Sequence, residues 1–426
     1  MTAVPTLRAA LLAAAVAGLT AAAAWSVRLG WADAWFQTET VAGTEKALSL
    51  TPGQAAYRVR LALLLFGDKP AEAAAALRQA VAANPHDARA WIELGLRYET
   101  DGDLALAERS LLRAAGESRV YLPRWTLMNY YYRRGDSQRF WFWARSAAPM
   151  IWGDPAPLFH LCGRVTEDGG LIGRLDIRQP EVQAAYFSYL LDAGHPGLAV
   201  PTGRQLVAGG RKADVPLLLE ACDRLLAAGR TGDARSLWDG LIAARGIPPA
   251  GPRSERGTEL YNGHFAASPM GHGFDWRLPA IEGIRAAREE NPVGLRLTFS
   301  GGQPENAEPL FQLAPVEERA AYELEFGYRT SGIASGSGLC WRIDDASGDA
   351  SRGAILAAGE SLAADEPAEG RLPFVAPAGC RLVRVSLAYR RGPGTTRISG
   401  FIVLRDVELR PAPQSPSGDL RSRVMK

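Results

Sequence analysis

Across residues 89–124, large and small side chains recur at helical spacing. Trp91, Leu94, Tyr98 and Leu111 are large, while Gly95, Ala107 and Ala114 are small. Two short antiparallel helices explain this pattern. Small residues at Gly95 and Ala107 let the backbones approach, and the large ones fill the space around the crossing. One such pair buries too little to offset its ordering entropy, so neighbours are required. At 34 residues upstream, Tyr57 takes the place of Trp91, Leu61 of Gly95, Ala73 of Ala107, Leu77 of Leu111 and Ala80 of Ala114, and Pro85 closes the unit. At 34 residues downstream, Trp125 and Tyr132 fall on the Trp91 and Tyr98 slots. The pattern then decays and returns where 190–199 matches 225–234 at a spacing of 35, each a helix end, a Gly-rich turn and a helix start.

These slots resemble the tetratricopeptide repeat. The resemblance implies that residues 34–246 form a helical solenoid of five or six units, best formed at 57–124. It also implies a concave, protein-binding face lined by the first helix of each repeat. In the best unit that face comprises Arg89, Ile92, Leu96, Glu99 and Thr100. Between Tyr121 and Trp152 the rings of Trp125, Tyr130, Tyr131, Tyr132, Phe140, Trp141, Phe142 and Trp143 fall on every helix face, more than one seam can bury.

Residues 247–257, rich in Pro and Gly, end the helical pattern and read as a linker. Beyond them the period drops to 2. Runs at 295–299, 310–313, 321–328, 339–343, 382–389 and 401–409 alternate apolar and polar residues between turn residues, which points to an antiparallel two-sheet sandwich. Three stretches at 258–411 then carry a second resemblance: Tyr261-Asn262-Gly263-His264-Phe265, Gly273-Phe274-Asp275-Trp276-Arg277 and the closing Arg405-Asp406-Val407-Glu408-Leu409. They are similar to the galactose-binding-like jelly rolls, which include many non-catalytic carbohydrate-binding modules. Sugar binding wants a ring for the apolar sugar face and charged or bidentate donors for hydroxyls or carboxylates. The candidates are Trp276, Arg329, Trp341, Arg342 and Tyr389. By strand parity Trp341 is either core or exposed. Residues 412–426 form a tail.

Residues 1–33 form the N-terminal segment. Ala9 to Val27 carries no charge and follows Arg8, long enough nearly to cross a hydrocarbon core of about 30 Å. Trp25, Trp31, Trp35 and Phe36 cluster just beyond, as an interfacial aromatic belt would. A retained anchor and a signal peptide cleaved near Ala22-Ala23-Ala24 both place the rest outside the cytoplasm. The expected location is the bacterial inner membrane facing the periplasm, or the periplasm itself after cleavage.

A formal charge of +2 over 426 residues argues against nucleic acid as partner. Cys162 and Cys222 read as buried thiols, and Cys340 and Cys380, both on expected strands, could pair. None of the five histidines has metal-ligand spacing, and no cofactor fingerprint or catalytic constellation occurs. Glu289-Glu290 and Asp344-Asp345 are adjacent in sequence and so diverge, unlike a glycosidase pair. The fold class is multidomain α then β: a transmembrane or signal helix, a solenoid and a jelly roll. The expected function is a non-enzymatic, exported or membrane-tethered adaptor, with a glycan as candidate ligand and envelope or exopolysaccharide assembly as the setting. The alternatives are a pure protein scaffold with a structural β-cap and a glycan-active hydrolase.

Overall fold

The computed structural model describes residues 4–166, 170–249, 260–348 and 353–412. Much of the expected linker at 247–257 and nearly all of the tail lie outside these residues. Fourteen α-helices among the described residues precede the strands: α1 (Val4–Phe36), α2 (Val41–Leu50), α3 (Ala55–Leu65), α4 (Pro70–Ala83), α5 (Ala88–Thr100), α6 (Leu104–Glu117), α7 (Tyr121–Arg133), α8 (Ser137–Ala147), α9 (Ala156–Gly163), α10 (Leu171–Arg174), α11 (Pro180–Asp192), α12 (Pro196–Gly209), α13 (Val215–Ala227) and α14 (Thr231–Ala243). Nine strands follow: β1 (Ile284–Glu290), β2 (Val293–Ser300), β3 (Asn306–Pro315), β4 (Ala321–Ser331), β5 (Leu339–Asp345), β6 (Ile355–Ala358), β7 (Ala368–Val375), β8 (Leu382–Arg390) and β9 (Ser399–Pro411). The chain packs as two units, Met1–Glu167 with Gly173–Arg178, and Asp168–Ile172 with Gln179–Lys426. The division falls within the helical region, so α11–α14 share a unit with the strands.

In the first unit, consecutive helices pair as α3/α4, α5/α6 and α7/α8, and α5 also touches both α3 and α7, the contact pattern of stacked hairpins. The small and large slots account for the seams. Ala73, Leu77, Ala80, Ala107, Leu111 and Ala114 are all buried. A Cβ at Gly95 would lie 2.7 Å from the Leu111 side chain, so glycine is what allows α5 to approach α6. Asp87, Asp103 and Asp136 each accept backbone N–H groups at the start of α5, α6 and α8. The apolar stretch continues in one helix to Phe36, and Ala9–Phe36 is long enough to cross a membrane. Phe36 does not belong to an exposed aromatic belt: its ring stacks on Tyr57 at 4.5 Å, while Trp25, Trp31 and Trp35 are exposed. The aromatic middle divides as its excess of rings requires. Tyr130, Tyr131 and Phe140 are buried, whereas Phe142 and Trp152 face outward, Trp152 at 90 % exposure.

In the second unit, α11/α12 and α13/α14 form hairpins whose turns carry Gly194 (φ 76°) and Gly229 (φ 69°) at matching places, as the 35-residue spacing requires. The strands form two antiparallel sheets, ordered β1-β2-β9-β4-β7 and β3-β8-β5-β6. Their inner faces share one core, in which Leu339, Trp341 and Ile343 from β5 face Leu297, Phe326 and Leu404 from the other sheet.

The last hairpin is joined to the start of the sandwich. Trp238 on α14 is 3 % exposed and meets Tyr261 and Phe274 edge-on, with ring centroids at 5.1 and 5.9 Å. A Cβ at Gly273, which has φ 55°, would lie 2.3 Å from Trp238. Asp223 on α13 accepts from the Gly273 N–H at 2.7 Å and from Arg277 at 2.6 Å, and pairs with His272 Nδ1 at 2.6 Å. Below this junction Asp275 accepts the N–H groups of Met270 and Trp276, and burial pushes its carboxyl up to about 6. All four cysteines are free thiols, so the pairing considered for Cys340 and Cys380 is not formed.

Candidate functional site

The two outer faces of the sandwich differ. On the four-stranded sheet, outward positions are closed over: Leu313, Leu382, Asp344 and Ser386 are buried. Arg384 sits 3.4 Å from the Phe311 ring centroid and pairs with Glu308 at 2.5 Å, and Arg342 pairs with Asp344 at 2.8 Å. Arg277, which is tied to Asp223, exchanges backbone hydrogen bonds with Phe311 on the same sheet. Every charge named on this face is matched and buried or half-buried.

The outer face of the five-stranded sheet has a different composition. Register places Thr298, Phe401 and Ser331 in one row across β2, β9 and β4, and Arg296, Val403 and Arg329 in the next. Arg405 on β9 follows, opposite Gly327 and against Gly294. Phe401 is half-buried, with the Arg296 guanidinium 4.0 Å and the Arg329 guanidinium 5.8 Å from its ring centroid. Arg296 is paired with Glu289 at 2.6 Å. Among the described residues neither Arg329 nor Arg405 has an acid within ion-pair distance, and Arg405 Nε is buried without an acceptor. At the far end of β9 the charges are matched: Arg410 bonds Glu325 at 2.6 Å and also Glu408, and His264 pairs with Asp406 at 2.6 Å.

Of the residues expected to bind sugar, only Arg329 lies on this open face. Trp276, Trp341 and Tyr389 are each 0 % exposed and belong to the sandwich core, so none offers a ring to a ligand. The reason for Trp341 is parity: it shares its side of β5 with Leu339 and Ile343. Trp276 is held between Phe265 and Trp341, and its Nε1 donates to the Asn262 carbonyl at 3.1 Å. Arg342 faces the closed side. Phe401, Arg296 and Arg405 were missed by sequence reading, although their alternation with Ile402, Leu404 and Leu297 marks them as outward-facing.

On the helical repeats, Arg89 and Thr100 are exposed, Leu96 is half-buried, and Glu99 is held by Arg133 of the next pair through two bonds of 2.7 and 2.8 Å. Ile92 is 4 % exposed and belongs to the packing of unit 1, not to a ligand face. Two of the clefts among the described residues lie in the second unit. One of about 790 Å³ is lined by Val215, Pro216, Ile242, Ile247 and Pro248. The other, of about 600 Å³, contains Arg230 paired with Asp233 and Arg381 paired with Glu318.

No protein-family model matches the chain, and neither does any curated protein. Solved structures similar to it include a CBM4 structure, at 13 % identity over 36 % of this chain and 99 % of that one, with a TM-score of 0.29. Pseudomonas aeruginosa PilF is another, at 16 % identity over 51 % of this chain and 92 % of that one (TM-score 0.27). A third is YrrB, described as a TPR protein with an unusual peptide-binding site, at 13 % identity over 47 % of this chain and 92 % of that one (TM-score 0.24). The architecture is tetratricopeptide-like helix pairs followed by a jelly-roll sandwich.

Proposed function

We propose that this protein is a non-enzymatic, membrane-tethered adaptor. Its helical repeats hold a protein partner, and its sandwich binds a glycan on the outer face of the five-stranded sheet. The observation that carries this reading is the contrast between the two sheets. On the four-stranded sheet the named outer charges are matched, whereas on the five-stranded sheet Arg329 and Arg405 have no acid within ion-pair distance among the described residues and lie on the same face as the half-buried Phe401 ring. Arg89, Leu96 and Thr100 remain the candidate partner contacts on the best repeat. Tethering is supported by α1, an unbroken helix whose Ala9–Phe36 stretch is long and apolar enough to cross a membrane. The proposed setting is the outer side of a bacterial inner membrane, in assembly or export of envelope polysaccharide.

The test uses the full chain in detergent micelles on a polysaccharide panel, with Phe401→Ala as the variant. Retention of at least one polysaccharide by the parent protein, lost in Phe401→Ala at unchanged melting temperature, is the expected result. No retention of any polysaccharide would overturn the glycan half of the proposal. A second reading, a pure scaffold whose sandwich caps the last hairpin, is favoured by the joint at Asp223 and Trp238. It predicts that no polysaccharide is retained.

A further inference from the structure

The unmatched charges on the open sheet specify more than a sugar. Arg329 and Arg405 lie on neighbouring strands and flank buried Val403, which is 1 % exposed. Adjacent arginines on the same sheet are neutralised: Arg296 by Glu289, Arg371 by Glu323 and Glu325, and Arg410 by Glu325 and Glu408. Arg329 and Arg405 have no such partner among the described residues, and one N–H of Arg405 is buried without an acceptor. A guanidinium fork fits a planar anion by two parallel bonds. The sheet is also lowered on both sides of Arg405. A Cβ at Gly294 would lie 2.9 Å from the Leu404 carbonyl oxygen, and Gly327 faces Arg405 across the ladder. Glycines on both flanks leave no side chain beside Arg405 on β2 and β4, so its own chain lies along a side-chain-poor strip that carries cationic donors and, two rows along, the Phe401 ring.

We propose that this strip binds an anionic polysaccharide, Arg329 and Arg405 receiving carboxylate or sulfate groups and Phe401 the apolar face of a neighbouring sugar. This rests on the glycan reading above and narrows it to one chemical class. The anion supplies the counter-charge that the chain's own acids give to Arg296 and Arg410 but not to Arg329 and Arg405.

The experiment measures binding of the full chain in detergent micelles to polygalacturonate, dextran sulfate, neutral dextran and polyglutamate. The variants are Arg329→Gln, Arg405→Met and, as a control on the same sheet, Arg371→Gln. The expected result is binding to one or both anionic polysaccharides, at least tenfold weaker binding to dextran and polyglutamate, and a loss of about ten- to a hundredfold in each of the first two variants. Arg371→Gln should change affinity less than threefold, and melting temperatures should be unchanged. Equal binding to dextran would overturn the anionic assignment while leaving the glycan reading standing, whereas no binding to any polysaccharide would overturn both. Polyglutamate binding as tightly would assign the strip to acidic protein instead. Undiminished binding in Arg329→Gln and Arg405→Met would show that the anion sits elsewhere.

Discussion

Truncation of Trp238 probes the joint between the last helical hairpin and the sandwich. The side chain is almost completely buried on α14 and touches Tyr261, Phe274 and the Cα side of Gly273. Removing a buried Trp to Ala costs about 3–5 kcal/mol, a figure that already contains the two edge-to-face ring contacts. At roughly 2–4 °C per kcal/mol for a unit of this size, the corresponding transition in Trp238→Ala should fall by about 6–20 °C. Gly273→Ala alone should pay twice, about 1–2 kcal/mol for the left-handed backbone and a further 1–3 kcal/mol for the new Cβ driven against the indole. In the double variant the indole is gone, so only the backbone term remains, and the pair should be less damaging than the sum by about 1–3 kcal/mol. Scanning calorimetry of the full chain in micelles measures all four corners of the cycle. Additivity to within about 0.5 kcal/mol would mean that the two residues do not touch, and the joint as described would be wrong.

Other consequences follow from single positions. Asp275 has its carboxyl raised to about 6 from 3.8, so its protonated form is the one favoured in the fold. That contribution is full below about pH 4 and lost as pH rises through 6, worth up to roughly 3 kcal/mol for a shift of about two units. Urea midpoints measured at pH 4.5, 5.5 and 6.5 should therefore show a downward component that Asp275→Asn removes; parallel profiles for the two proteins would refute it. Gly95→Val should destabilise the first unit by about 1–3 kcal/mol, because the added carbons meet Leu111 and the Ala107 carbonyl, and an unchanged melting temperature would contradict the seam. Burial pushes the Cys162 and Cys222 thiols up to about 12 and that of Cys380 up to about 11. In the native protein a chromogenic disulfide reagent should thus react first with half-buried Cys340, and fast reaction at Cys162 or Cys222 would show that the helical cores are looser than described.

The helical part was legible because its information is local. A helix pair needs small residues where backbones cross, and Gly95, Ala107 and Ala114 announce them within one repeat. The six alternating runs became β2, β3, β4, β5, β8 and β9. Strands β1, β6 and β7 were not read: β1 is largely exposed and charged, and β6 spans four residues, so neither has a clear apolar period. The candidate site was less legible. Trp341 could have been assigned to the core from Leu339 and Ile343 two positions to either side. Trp276 sits outside any strand, where parity gives no help. That Arg296 and Arg329 meet over Phe401 depends on β9 lying between β2 and β4, a long-range register that no local pattern encodes. The Asp223 to His272 bond joins residues 49 apart and is invisible for the same reason.

A glycan held on the outer face of the five-stranded sheet should mark that sheet and not the other. Hydrogen exchange of the full chain with and without polygalacturonate reads this out. Slower exchange on ligand addition is expected in β2, β4 and β9, around Arg296, Arg329 and Arg405, with β5 and β8 unchanged. Protection confined to β5 and β8, or to the helices alone, would contradict it.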